Sequence, residues 1–391
     1  MKFAHFSDCH IGGWREDTLR NINLRSFEKA VDICITEHVG FVIIAGDLFD
    51  TALPSIEILK QTAKILSKLN DYDIPVYIIP GSHDFSASGK TMLDVLENAG
   101  LVTNVMKFEE GKLQFTTDKT GVKLTGIYGK KGGLEIVDYD KLDKVHLENE
   151  DGFKIFLFHT LINELKPKEF EMVEASSLSI LPMGFNYYAG GHPHFVYSKY
   201  HNSYGLISYP GPIYPNNFQE LESLKHGGFF IADVKEGKVE AKHIPLNILE
   251  VVSYFIDAND KTPRQVEQDI LDTVQNYKGK ILTLRIEGCI KSGKLSDINF
   301  KGLLENFKDA YYVLKNTNKL TTNEFNELSV DLRNVDDIEI SVIKEHSKQS
   351  IFDEYKILDI IKVLDKEKFE GEKNSDFDNR VVKDIADLIG L

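Results

Sequence analysis

Five short motifs of aspartate and histidine, each set directly after a short apolar run, constrain this chain more than any other feature. Asp8-Cys-His10 follows Lys2–Phe6, Gly46-Asp47 follows Phe41–Ala45, and Gly81-Ser-His-Asp84 follows Val76–Ile79. His159 follows Lys154–Phe158, and Gly191-His-Pro-His194 follows Tyr187–Ala189. Runs this short, rich in β-branched and aromatic residues and bounded by Gly, Pro or Asp, read as strands. Lys123–Tyr128, Leu206–Ser208 and Gly228–Val234 have the same character. Between them lie stretches with helical spacing. Pro54 stands where a first helical turn tolerates it, and Ile56, Leu59, Ala63, Leu66 and Leu69 follow on one face. Thr91 and Asp94 match a capping box, with Gly100 as the stop. Strands interleaved with helices over roughly the first 235 residues give a layered α/β domain.

The C-terminal ends of strands are where α/β folds gather ligand and catalytic groups. Five of the twelve histidines occur at these places. Asp and His two residues apart in an extended segment point to the same side and can reach one ion, as can His192 and His194. A mixed carboxylate and imidazole set suits Mn²⁺, Fe or Zn²⁺ better than Mg²⁺ or Ca²⁺, which prefer oxygen shells. Taken singly, an Asp-x-His is most often solvated surface, and a histidine after a strand most often a satisfied polar residue. Their joint occurrence, in order and at strand ends, points to a metal centre. The three cysteines, Cys9, Cys34 and Cys289, are too few and scattered for a disulfide framework or a Cys-based zinc site. Cys9 falls between two motif residues, where strand alternation turns its side chain away and into the core.

The chain continues past the motifs with a change of character near Pro245. Glu250–Asp257, Lys280–Ile286 and Ala310–Leu314 read as strands, and helices are expected from Thr262-Pro263 and over about 299–308. The tail carries Phe377, Val381, Ile385 and Leu388 on one stripe after the polar run Lys366–Ser375. Such a stripe packs on its own domain or docks on another protein. The expected domains are therefore 1–245, 246–345 and 346–391. Gly89-Lys-Thr91 ends like a Walker A loop, but the required first glycine falls at Asp84; the capping box explains the segment better, and the chain is not expected to be an ATPase. No apolar run reaches the roughly 18 residues of a membrane helix, and Met1–Phe6 does not resemble a signal peptide; the expectation is a cytoplasmic protein.

With these motifs in place, the chain resembles the calcineurin-like metallophosphoesterases, and among them the Mre-eleven/SbcD family of DNA double-strand-break repair nucleases. The resemblance rests on the opening Met-Lys-Phe-Ala-His-Phe-Ser-Asp-Cys-His-Ile-Gly and on Ala45-Gly-Asp-Leu-Phe-Asp50. It rests also on Tyr209-Pro-Gly-Pro and Gly227-Gly-Phe-Phe-Ile-Ala-Asp233. It covers residues 1–235 well, and the remainder in layout only. It implies a four-layer α-β-β-α sandwich, a small α+β capping domain and a helical tail. It implies one metal held by Asp8, His10, Asp47 and His194, and a second held by Asp47, Ser82, His159 and His192, with Asp47 shared. Two such ions, Mn²⁺ above all, activate water and clamp a phosphate for in-line attack. His83 would then stabilise or protonate the leaving oxygen, with Asp84 orienting its ring. Two positions depart from the family pattern: Ser82 stands where Asn is usual, and Asp50 follows the bacterial branch where the other branch often has His.

The implied function is a DNA exo- or endonuclease working as a homodimer with a Rad-fifty/SbcC-type ATPase on duplex ends, hairpins or single strands. The net charge of −15 runs against a nucleic-acid binder unless divalent ions or a partner supply positive charge. Two other readings stay open: a phosphodiesterase for a small nucleotide or other phosphoester, and a structural subunit whose metal site has weakened.

Overall fold

The computed structural model describes residues 1–86, 91–322, 360, 363–364 and 374–389. Its centre is a pair of six-stranded sheets. The first runs Lys238–Leu246, Gly227–Lys235, Lys2–Phe6, Val42–Ala45, Val76–Ile79 and Thr103–Asn104 in spatial order. The second runs Tyr197–Tyr200, Leu206–Tyr209, Tyr187–Gly191, Lys154–His159, Lys123–Ile127 and Thr116–Thr117. The strands that lead into the motifs run parallel within each sheet, as in the register Ala4↔Val42, Val42↔Val76 and Ile155↔Tyr187, while Gly227–Lys235 joins Lys2–Phe6 antiparallel. Parallel strands point their C-terminal ends the same way, which is why motifs distant in sequence meet at one edge.

Strand alternation sorts the side chains into layers. Phe3, Ile43, Ala45, Tyr77 and Ile79 from the first sheet pack on Leu124, Ile155, Leu157, Tyr187 and Ala189 from the second. Their neighbours Ala4, Phe6, Val42, Ile44 and Ile78 face outward onto helices Asp17–Thr36 and Ile56–Asp71 through Phe27, Val31, Ile65 and Leu69. On the far side Phe156, Phe158, Tyr188 and Tyr209 are covered by Tyr139, Leu147, Leu165 and Leu181. The result is the layered α/β domain that the strand and helix pattern predicts, in the four-layer α-β-β-α form that the resemblance implied.

Local differences from the sequence reading have simple causes. The helix starts at Ile56 with Ser55 as its cap, the Ser55 hydroxyl accepting from the Ile58 N–H at 3.3 Å, so Pro54 lies just outside the first turn. Thr91 does open a helix, its N–H donating to Asp94 at 3.2 Å, and Gly100 leaves it at φ +72°. Pro245, read as a boundary, sits inside Lys238–Leu246, an edge strand, where a missing N–H costs no ladder bond. The 20-residue helix Asp17–Thr36 was not anticipated.

The chain clusters into two compact units. The first comprises Met1–Phe255, Asp272–Arg285 and Lys301–Asn316; the second comprises Ile256–Leu271, Ile286–Phe300 and Thr317–Leu391. Within the first, Ile281–Arg285 pairs in parallel with Tyr312–Asn316. Within the second, Gly288–Ile290 pairs with Leu320–Thr322, and Val266, Ile270, Ile286, Ile290, Ile298 and Leu320 are buried. The helix Asn374–Ile389 includes the striped tail, while much of the preceding polar run and the Gly89-Lys segment lie outside the described residues. Among the described residues, no helix is long and apolar enough to cross a membrane.

Candidate metal centre

Tight turns deliver the site residues from the strand ends. Asp8, His10, Asp47 and His192 all take positive φ, at 51°, 42°, 53° and 94°. For residues with a Cβ this region is sparsely populated, and the turns hold because the surrounding packing fixes them. Gly46 is required where it stands: a Cβ there would lie 2.2 Å from Nδ1 of His159. Asn23, buried on the first helix, donates to the carbonyl of Cys9 at 2.9 Å and so steadies the Asp8-to-His10 turn. The Cys9 side chain itself is buried in the apolar core.

The turns bring five of the expected residues together. Nε2 of His10 lies 3.2 Å from Nε2 of His194 and 3.8 Å from Oδ2 of Asp47. Nε2 of His194 is 3.7 Å from Asp8, and Nε2 of His159 is 3.1 Å from Oδ2 of Asp47. Three groups have donor atoms close enough to hold an ion among the described residues: Asp8 with His10 and His194, Asp8 with Asp47 and His159, and His10 with Asp50 and His83. Asp8 is fully buried and accepts the N–H of His192 at 3.0 Å; Asp47 is 2% exposed and accepts the N–H of His83 at 2.7 Å. Ser82 donates its hydroxyl to Asp47 at 3.4 Å. His192 stands outside these groups, its ring 5.3 Å from that of His159.

The donor chemistry fits divalent cations. Buried carboxylates persist only when paired or bound to metal. Two imidazole nitrogens facing each other at 3.2 Å need a proton or a cation between them. His159 donates from Nδ1 to the Ala45 carbonyl at 2.8 Å, which leaves its buried Nε2 without a hydrogen-bond partner although Asp47 is near. A backbone acceptor of this kind commonly fixes a metal-binding histidine.

Ionisation in the metal-free protein follows the same crowding. Burial opposes the charge of Asp8, yet His194 and His159 bring it down to about 2. Asp47 is held well below the usual carboxylate range, against burial, by His159 and His10. Burial also disfavours charged histidine, but Asp47 pushes His159 up to about 9, and Asp8 with Glu220 pushes His194 up to about 10. His192 moves the other way, to about 4, through burial and the neighbouring His159.

One expected role is corrected. Asp84 does not orient the ring of His83. Its carboxylate accepts the backbone N–H groups of Leu48 and Phe49 at 3.0 Å and of Gly81 at 3.2 Å, bracing the Asp47 loop. Buried donors of a tight loop compete for the nearest carboxylate, and here they win. Burial and the charge of Asp47 raise Asp84 to about 6, with those N–H groups opposing. The His83 ring instead donates from Nδ1 to the Asp50 carbonyl at 2.7 Å and stands edge-on to His10.

Sequence reading passed over three contributors. Asp50 was noted only as a departure, yet its carboxylate lies 3.3 Å from Nδ1 of His10. Glu220 accepts from Nδ1 of His194 at 2.8 Å, and Asn216 contacts both carboxylates. Asn217-x-x-Glu220 carries a helix-start signature, but nothing in it announces a bond to a histidine 26 positions earlier.

The model of the calcineurin-like phosphoesterases matches residues 1–196, which hold all five motifs. The chain belongs to the calcineurin-like phosphoesterase family. Among curated relatives of this phosphoesterase is the DNA double-strand break repair protein Mre11 of Thermoplasma acidophilum, 30% identical over 294 residues, 72% of each chain. The proteins of that name from Methanococcus maripaludis and Saccharolobus solfataricus are 27% and 26% identical. They cover 91% and 95% of this chain, and 90% and 97% of their own. A solved dimetal phosphatase from Danio rerio aligns over 63% of this chain and 99% of its own, at 11% identity and TM-score 0.42. The phosphoesterase family uses divalent metals, and this member is a phosphodiester hydrolase with its acid and imidazole groups gathered at one sheet edge.

Proposed function

We propose that the protein is a Mn²⁺-dependent DNA nuclease that processes ends in double-strand-break repair. The observation that carries the reading is the convergence of Asp8, His10, Asp47, His159 and His194 in a chain whose relatives of nearly full length are Mre11 repair proteins. Asp8, His10, Asp47 and His194 would hold one ion. Asp47, Ser82, His159 and His192 would hold the second. When bound, the ions supply the positive charge that polarises a phosphoryl group and makes water a competent nucleophile at neutral pH.

The chain's own residues do the rest. Asp8 and Asp47 are fixed by backbone N–H groups, so their charge is aimed before substrate arrives. His83, whose side chain is 37% exposed, donates its Nδ1 proton to the Asp50 carbonyl, so in the imidazolium form its Nε2 proton is the one that would pass to the leaving oxygen. Asp84 locks the loop that carries Asp47. The assignment of 1–245 to the nuclease, 246–345 to a capping domain and 346–391 to an ATPase-docking tail belongs to the same proposal. So do a homodimer, a Rad50-type partner and a cytoplasmic site of action.

The test is cleavage of end-labelled linear duplex and hairpin DNA with Mn²⁺, Mg²⁺ or EDTA. Cleavage with Mn²⁺ that EDTA abolishes is the expected result. Turnover of a small phosphodiester with DNA left intact would instead make this a small-substrate phosphodiesterase.

A further inference from the structure

The two facing histidines, His10 and His194, are backed by carboxylates that the metal-ligand pattern does not include. We propose that Glu220 is a positioning residue that sets the tautomer and direction of His194, and that Asn216 is the clasp holding Glu220 and Asp50 behind the histidine pair. The inference rests on the reading that these histidines hold a metal ion.

Glu220 has the chemistry for the role. An ionised carboxylate only accepts, so the 2.8 Å contact to His194 requires a proton on Nδ1. That leaves Nε2 as the atom for coordination, and Nε2 is the atom facing His10 at 3.2 Å. Glu220 is also immobilised. It is the third residue of helix Phe218–Leu224, whose cap Asn217 accepts the Glu220 N–H at 2.9 Å. In an ordinary capping box the third-residue carboxylate reaches back to the N–H of the cap residue. Here one oxygen takes the N–H of Asn216 at 2.8 Å, and the other takes His194 together with the Asn217 amide at 2.5 Å. Helix capping alone would not turn the carboxylate to the histidine.

Asn216 joins this arrangement to the other histidine. Its side-chain amide donates to Oδ1 of Asp50 at 3.2 Å, and the same oxygen lies 3.3 Å from Nδ1 of His10. The clasp needs room, and Gly13 provides it: a Cβ there would stand 2.3 Å from Oδ1 of Asn216 and 2.9 Å from Asp50. One residue thus ties together the two carboxylates behind the two nitrogens that face each other.

Mn²⁺ titration by calorimetry on the full chain tests the clasp, comparing wild type with Glu220→Ala, Glu220→Gln and Asn216→Ala. Outer partners of metal-binding histidines are commonly worth about 10- to 100-fold in metal affinity. Glu220→Ala should weaken Mn²⁺ binding by that order. Glu220→Gln, whose amide oxygen still accepts from His194 and still suits the helix start, should recover all but about tenfold or less of the loss. Asn216→Ala should weaken binding while the metal-free thermal midpoint stays close to wild type. Equal Mn²⁺ affinity in wild type and Glu220→Ala overturns the proposal, as does a Gln variant no better than Ala. A wild-type chain that binds no Mn²⁺ overturns it together with the metal centre. A wild-type chain that binds Mn²⁺ but leaves DNA intact removes the nuclease reading and leaves the clasp to stand or fall on its own titrations.

Discussion

Asp47→Asn isolates the charge at the centre of the site. Asp47 takes φ 53°, a region Asn tolerates better than Ala, and the amide oxygen of Asn can still accept the His83 N–H. The fold is therefore kept while the negative charge is lost. Two estimates give the size of what is removed. At 3.1 Å from His159, and with an effective dielectric of about 20, the attraction is about 5 kcal/mol. The rise of His159 from 6.5 to about 9 corresponds to about 3 kcal/mol, smaller because burial opposes the charged ring. Without Asp47, burial should dominate, and His159 in the metal-free protein should titrate near or below 6.5. NMR of the histidine side chains against pH reads this directly. Mn²⁺ binding should fall by more than the roughly 100-fold of an outer-partner change, since a shared ligand is lost. An Asn variant that still takes up two Mn²⁺ per chain with wild-type affinity, or a His159 titration that does not move, would refute the reasoning.

Replacing Ser82 by Asn should restore an amide oxygen beside Asp47 and lower the Mn²⁺ needed for half-maximal rate by roughly tenfold; a higher requirement with circular dichroism unchanged would mean that the buried space admits no larger side chain. His83→Ala should keep metal uptake and lose about 10²- to 10⁴-fold in rate, as expected for a residue that handles a proton rather than an ion; metal loss in parallel with rate would assign it to coordination. His5, fully buried against the Tyr187 hydroxyl at 2.8 Å, is lowered to about 3 by burial. The unfolded chain takes up that proton below about 6.5 while the folded chain does not, so stability falls as pH drops through this window, by about 2 kcal/mol at pH 5. In metal-free urea unfolding, His5→Gln should lose that much less than wild type between pH 7 and pH 5, and parallel losses would contradict it.

Strands whose residues are buried on both faces were legible as compact β-branched runs, because burial on both sides removes polar residues from them. Val42–Ala45 and Val76–Ile79 are buried throughout, and both were found to within a residue. Lys238–Leu246 was not: its side chains alternate between Val239 and Leu246, which are buried, and exposed residues such as Lys238 and Glu240, and its proline reads as punctuation. An edge strand carries one good ladder and one free side, so its composition resembles a loop. Helix Asp17–Thr36 begins without a side-chain cap, and a helix without a start signal is hard to separate from its flanks.

The same division runs through the site. The residues proposed to hold the ions hang from turns at strand ends, so their order and spacing are written in the chain. The groups that aim them are not, because they act across the fold. His159 is oriented by the carbonyl of Ala45, 114 positions away, and a backbone oxygen leaves no trace in residue type. Glu220 reaches His194 only because a helix start is folded against the His192-Pro-His194 turn. Asp84 sits beside His83 in sequence, and adjacency alone suggested a partnership that the loop's own N–H groups pre-empt. Ligand identity is thus a local property of this sequence, whereas ligand direction is a property of the folded chain. Substitutions that leave every proposed ligand in place, at Glu220 or Asn216, should therefore reach the proposed metal through direction alone.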